Sequence, residues 1–139
     1  IGRSAPPIRL EVSRRDIIKY SIATEQTKKI HLEGDVAPPM FLFGTDKPLV
    51  SISDLAKDGL AKDVLTPPLP LKRVMAGGIR QKYFREIKAG DKLLIQKKIV
   101  DIYQKEGRSG PLIFVVYNIS IQDENENVVM EITQSRINR

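Results

Sequence analysis

The side chains able to do chemistry are few. The 139-residue chain holds one histidine, His31, and no cysteine. An imidazole titrates near pH ~6.5, so His31 is the one side chain suited to take up and return a proton near neutral pH. The plain alternative is a loop histidine, exposed or satisfied by a neighbour. Without cysteine there is no disulfide, no thiolate nucleophile and no thiolate metal site. No metal and no cofactor is expected. Ala76-Gly77-Gly78 offers backbone that a ligand can approach closely, or a bulge where a strand crosses the central helix closely. Arg80, Lys82, Lys97 and Lys98 could meet phosphates, or could line solvated strand faces. Gly107-Arg108-Ser109-Gly110 has the glycines of a phosphate cradle. It lies between two strand patterns rather than between a strand and a helix, so it reads as a hairpin turn.

Composition narrows the class. The hydrophobic fraction is 41% and the charged fraction 29%, as in soluble globular proteins. No apolar run approaches the ~18 residues of a membrane span. No signal peptide is visible in a chain that begins at Ile1 rather than Met, so a cytoplasmic setting is the default expectation. The net charge of +6 is spread among carboxylates. The densest pairs, Arg14-Arg15, Lys28-Lys29 and Lys97-Lys98, do not form a basic tail, so neither nucleic acid nor membrane is an expected partner. A chain of this length suits one domain.

The elements that must position these residues fall into two halves. In residues 72–139, four runs rich in β-branched and aromatic residues are cut by KAGD, KEGRSGP and DENEN, which predicts a four-strand antiparallel meander. Ile113, Val115, Tyr117, Ile119 and Ile121 share one face of one strand, and Val128, Met130 and Ile132 repeat the pattern. Between Leu93 and Tyr103 the apolar parity changes after Lys97-Lys98, which predicts a bulge and a curved sheet. Residues 1–71 must cover its apolar face. Ile8 to Val12 alternates as a strand. Ser13 then caps a short helix from about Arg14 to Thr24, with Ile18 and Ile22 one turn apart beside Ile17. Ser51 to Leu65 carries Leu55, Ala56, Leu60 and Val64 near helical spacing and is the main amphipathic helix expected, with Gly59 weakening its middle. Thr66-Pro67-Pro68-Leu69-Pro70 is an extended connector. The expected fold is α+β: one HotDog domain over 1–139, with about five curved antiparallel strands wrapped around a central helix.

Several motifs carry a family resemblance. Arg73-Val74-Met75-Ala76-Gly77-Gly78 and Gly107-Arg108-Ser109-Gly110-Pro111-Leu112-Ile113-Phe114-Val115 resemble the N-terminal half of MaoC-like (R)-specific hydratases and dehydratases. Within that family they are most similar to the branch that includes mesaconyl-CoA hydratases. Ser13-Arg14-Arg15-Asp16-Ile17 with Tyr20 and Ala23, and Ala37-Pro38-Pro39-Met40-Phe41, fit as well.

The resemblance implies a hydro-lyase acting on thioesters of coenzyme A or acyl carrier protein. In that family an Asp and a His in a D-x-N-P-x-H loop hold the water added across C2–C3, and a backbone amide polarises the thioester carbonyl. Here, placing His31 on the family's His puts Gln26 where the Asp belongs and Lys28 where the Asn belongs. Glu25, one residue away, is the substitute candidate. Ala76, Gly77 and Gly78 become candidates for contact with the thioester arm. N-terminal halves of the family commonly lack the dyad and shape the acyl tunnel, while a related unit carries the chemistry. The expectation is therefore a tunnel-shaping component that forms a homodimer or heterodimer with a second HotDog chain. The alternatives are a self-sufficient hydratase using His31 with Glu25, an acyl-CoA or acyl-carrier binding module, or a thioesterase relative. For the last, Glu33, Asp35 and Asp46 are the available carboxylates, and their spacing singles out none.

Overall fold

The computed structural model describes all 139 residues. A five-stranded antiparallel sheet is built from β1 (Ile8–Glu11), β2 (Val74–Tyr83), β3 (Lys92–Gly107), β4 (Gly110–Gln122) and β5 (Val128–Asn138), in the spatial order β1-β3-β4-β5-β2. The meander expected over residues 72–139 holds for β3, β4 and β5 only. β2 does not pair with β3. It lies beyond β5 and forms one edge of the sheet.

Alternation builds the core as expected. Val115, Tyr117, Ile119 and Ile121 on β4 are buried, together with Leu93, Ile95 and Ile99 on β3 and Met130 and Ile132 on β5. The parity change in β3 is a bulge between Ile99 and Asp101. A second irregularity pairs Gln122 with Val128, so Val129 is buried and Val128 is left half-exposed. Such insertions bend a strand and coil the sheet, giving the curved HotDog layer.

The cover of the apolar face differs from expectation. Helix α1 (Arg14–Ala23) starts where predicted, with the Asp16 amide donating to Ser13 Oγ at 3.0 Å. It buries Ile17 and Ser21, not Ile18 and Ile22; Ile22 is 65% exposed. Ile17 joins Val12, Ala37, Leu42 and the strand residues Ile95, Ile119 and Ile121 in one cluster. Leu65 and, more peripherally, Ala5 and Leu69 cover Ile99, Val115 and Tyr117 at the other end. The long helix expected over Ser51–Leu65 is absent; only a 3-10 turn, Ile52–Asp54, forms there.

Its failure has a local cause. Gly59 adopts φ +79°, Asp58 Oδ1 accepts the Leu60 amide at 3.0 Å, and Asp63 Oδ1 accepts the Leu65 and Thr66 amides at 2.9 and 3.0 Å. These side chains offer the backbone turns in place of a helical ladder. Helix α1 is therefore the helix against the sheet. No helix is long and apolar enough to cross a membrane.

Candidate functional site

His31 sits on α2 (Lys29–Leu32), a single turn placed by its surroundings. Gly34 follows it at φ +76°, and a Cβ there would lie 2.8 Å from the Arg14 carbonyl oxygen. Arg14 in turn donates to the Glu33 carbonyl at 2.7 Å and pairs with Asp35 at 2.5 Å. The start of α1 and the end of α2 are thus fixed against each other. The His31 ring is 9% exposed, and its Nδ1 lies 2.7 Å from the Val36 carbonyl oxygen. A carbonyl can only accept, so Nδ1 carries a hydrogen and Nε2 is the nitrogen left to face other partners.

His31 lines a cleft of about 440 Å³ with Ala37, Pro38, Leu42, Ile87 and Met130 as its apolar wall. That volume lies within the ~300–1,000 Å³ of small-molecule sites. The polar groups of the cleft come from the end of β2 and the segment after it: Tyr83, Arg85 and Glu86, with Phe84 among them. The Tyr83 hydroxyl donates to the Pro39 carbonyl at 2.8 Å and also contacts the Gln81 amide. One hydroxyl has one hydrogen, and Gln81 Nε2 is otherwise buried without a partner. With the Gln81 amide turned so that Nε2 donates to Tyr83, the single Tyr83 hydrogen stays with Pro39, and the buried position without a partner is then held by Oε1, an acceptor. Burial, and the negative charge Tyr20 would carry when ionised, push the Tyr83 hydroxyl above its usual value, so it stays a donor. Arg85 is held by Asp91 at 2.8 Å and Asp123 at 3.7 Å, and the hydrogen bond to Asp91 keeps the guanidinium firmly charged.

The structure does not bring Glu25 to this cleft. Glu25 is exposed, at φ +58°, just past the end of α1. Its amide bonds the Ile22 carbonyl at 3.1 Å, and the Gln26 amide bonds that of Ser21 at 2.9 Å. This is the Schellman pattern that ends a helix. Glu25 forms no hydrogen bond or ion pair with His31. Glu86 is the one carboxylate in the cleft wall. Sequence reasoning passed over the Tyr83–Glu86 stretch. Its signal was two adjacent aromatics at a strand end, which breaks alternation.

The other candidates are spoken for locally. Glu33 pairs with Lys29 at 3.5 Å, Asp35 with Arg14, and Asp46 with Lys97 at 2.8 Å. None of the three lines the cleft. Lys97 is also stacked 4.6 Å from the Tyr117 ring centroid, so it is not free for a phosphate. Ala76, Gly77 and Gly78 form a bulge in β2. A Cβ on Gly77 would meet Ser135 Oγ at 2.5 Å and its carbonyl oxygen at 2.9 Å, and the Gly78 amide donates to Ser135 Oγ at 2.9 Å. The bulge is present, but the close approach is made against β5 and not against the central helix.

Comparison with known proteins follows the same direction. Residues 1–132 match the family described as FAS1-like, dehydratase domain region. Over 103 residues the chain is 31% identical to mesaconyl-C(4)-CoA hydratase of Chloroflexus aurantiacus, covering 73% of this chain. The match spans 36% of that relative, about a third of its length. Among solved structures, the C-terminally truncated HadBC (3R)-hydroxyacyl-ACP dehydratase complex of Mycobacterium tuberculosis superposes with a TM-score of 0.67 at 15% identity, covering 99% of this chain and 94% of that one. The MaoC-like dehydratase of Rhodospirillum rubrum gives 0.65 at 16% identity, covering 99% and 91%. With the five-stranded curved sheet and the match over nearly its whole length, the chain belongs to the FAS1-like dehydratase-region family, a MaoC-like HotDog hydratase/dehydratase lineage.

Proposed function

We propose that this chain is the substrate-tunnel component of an acyl-thioester hydratase or dehydratase, and that a second HotDog unit supplies the catalytic acid–histidine loop. The observation that carries the reading is the His31 cleft itself. Its histidine is locked to the Val36 carbonyl and has no hydrogen-bonded carboxylate, because the position that should hold the acid is taken by a helix terminator. A lone imidazole offers one group for proton transfer. Hydration needs water activated beside C3, a proton delivered to C2 and a polarised carbonyl.

The second unit would sit along β2. It is an edge strand of ten residues, ~33 Å long by strand rise, and exposed along nearly all of it. Val74, Met75 and Ile79 add apolar surface along the strand. Unpaired strand edges seek a partner. Tyr83 at its end and Phe84 just beyond wall the cleft, so a strand laid along β2 would complete the cleft as well as the sheet. The named relatives act on a coenzyme A thioester and on acyl carrier protein thioesters, and either carrier suits the proposal.

Glu86 supports one second reading, a self-sufficient hydratase using His31 with Glu86, since both line the same cleft. Hydration of an enoyl-CoA separates the two. The purified chain alone should be nearly inactive, and activity should appear on adding a HotDog unit that carries the D-x-N-P-x-H loop. Robust activity of the isolated chain, lost in both His31→Ala and Glu86→Gln, would overturn the first reading and establish the second.

A further inference from the structure

An arm stands out from the covered face of the sheet. Residues 47–62 hydrogen-bond only among themselves and to Gly44, and none of their charged side chains forms an ion pair. The arm doubles back through a bridge between Leu55 and Ala61, with Gly59 in the turn at φ +79°. Leu49 and Ile52 are 102% and 89% exposed, and Val50 and Leu60 are exposed as well. A lone chain gains nothing by holding large apolar side chains in water, and a group of them on one element marks an interface.

The roots of the arm are fixed while its body is free. Asp46 pairs with Lys97 at 2.8 Å before it, and Asp63 pairs with Arg136 at 2.7 Å after it. Both cations lie over the Tyr117 ring, 4.6 and 5.9 Å from its centroid, and the Tyr117 hydroxyl is hydrogen-bonded to Thr66. The arm therefore springs from a set place above β4. Directly opposed residues point the same way. Tyr117 opposes Gln134, which opposes Ile79. That row leads from the roots to the free edge, two strand spacings or about 10 Å away. About eight residues each way can reach at most roughly 25 Å, so the arm is long enough to pass the edge. There Val74 and Ile79, on the same side of the sheet, are exposed.

The edge itself selects the occupant. The bulge between Ala76 and Ile79 lies near the middle of β2. A second copy running antiparallel brings its own bulge against it, so the step in the ladder is matched. The charges of the arm, Lys47, Asp54, Lys57, Asp58 and Lys62, include both signs, which suits a surface that meets its own image. We infer that in the free chain a second copy seats antiparallel on β2, and that each copy's arm crosses the seam to bury Leu49, Ile52 and Leu60 against the other's Val74 and Ile79. That seating rests on the edge role proposed above. The catalytic unit would use the same edge, so self-pairing through the arms holds the chain idle until the catalytic unit displaces the second copy.

Sedimentation velocity of the full chain over about 1–100 μM should show a dimer. The triple substitution Leu49→Ser, Ile52→Ser, Leu60→Ser should weaken it about tenfold or more, and so should Ile79→Lys on the receiving surface. Ile22→Ser with Ile30→Ser, exposed apolar residues on α1 and α2, should leave it unchanged. The chain has no cysteine, so Leu49→Cys supplies a single thiol for a photo-crosslinker. In an equal mixture of light and nitrogen-15-labelled chains, mass spectrometry should find cross-links between copies, ending on β2 or on the other arm. A monomer throughout the range, a dimer indifferent to the triple substitution, or cross-links confined to one copy would refute the arm. A monomeric free chain that still gains hydration activity with the catalytic unit sinks self-pairing alone. A dimer that gains activity in no mixture sinks the proposed function alone.

Discussion

Gly77→Ala is the sharpest test of how β2 is held. The added methyl would lie 2.5 Å from Ser135 Oγ and 2.9 Å from the Ser135 carbonyl oxygen. The hydroxyl cannot simply rotate away, because it accepts the Gly78 amide at 2.9 Å. The carbonyl is backbone and moves only with β5. Overpacking of this kind costs about 1–3 kcal/mol, and loss of the hydrogen bond adds about 1 kcal/mol. The sum, about 2–4 kcal/mol, is a large share of a typical stability of ~5–15 kcal/mol. Gly78→Ala is the internal control: its Cβ would find only Ser135 Oγ, at 4.0 Å, and should change stability by less than about 0.5 kcal/mol. Ser135→Ala should relieve part of the Gly77→Ala penalty, because it removes one of the two close atoms. Urea unfolding at fixed protein concentration measures all four species, the double variant included. Equal effects of the two glycine substitutions, or a Gly77→Ala effect under about 0.5 kcal/mol, would refute the argument that the bulge is steric.

Glu25→Gly should stabilise the chain by about 0.5–1 kcal/mol, because glycine adopts the left-handed conformation that Glu25 holds at φ +58°; any hydration activity should be unchanged, and a loss would restore Glu25 as a catalytic candidate. Asp63 is resisted by burial, but the Thr66 hydroxyl, the Thr66 and Leu65 amides and Arg136 outweigh that and hold its carboxyl well below the usual range. A depressed folded value means its stabilisation is complete above pH ~5, starts to fall near the unfolded pKa of ~4, and is lost only as pH drops through the lower folded value. Wild type should therefore exceed Asp63→Asn by about 1–2 kcal/mol at neutral pH, solvent exposure trimming the figure, and chemical denaturation should show the gap closing with acid. Asp46→Asn strands Lys97, whose side chain is only 15% exposed, and should cost about 3–5 kcal/mol. Adding Lys97→Met should recover much of that by melting temperature, since the methionine can still lie on Tyr117.

What the sequence disclosed was governed by period and by local caps. The alternation of Val115, Tyr117, Ile119 and Ile121 needs no tertiary information, and neither does Ser13 as the cap of α1. The parity change after Lys97-Lys98 located the β3 bulge. Turn clusters say where the chain reverses, not which neighbour it reverses onto, so the position of β2 beyond β5 was hidden. Helical spacing in Ser51–Leu65 was outvoted by Asp58 and Asp63, whose carboxylates bond the backbone just downstream. Ile17 and Ser21 won the buried face of α1 over Ile18 and Ile22, a choice set by the surface α1 packs on. The cleft was half legible: His31 was singled out, but its neighbours Tyr83 and Glu86 lie more than fifty residues away.

The β2 bulge has a consequence for fidelity of assembly. By breaking the ladder between Ala76 and Ile79, it divides the free edge into two short stretches offset from one another. A straight, indiscriminate strand can hydrogen-bond to one stretch but not run through both. A strand that pairs along the full length must carry a matching step in its own backbone, which narrows what can add to this edge.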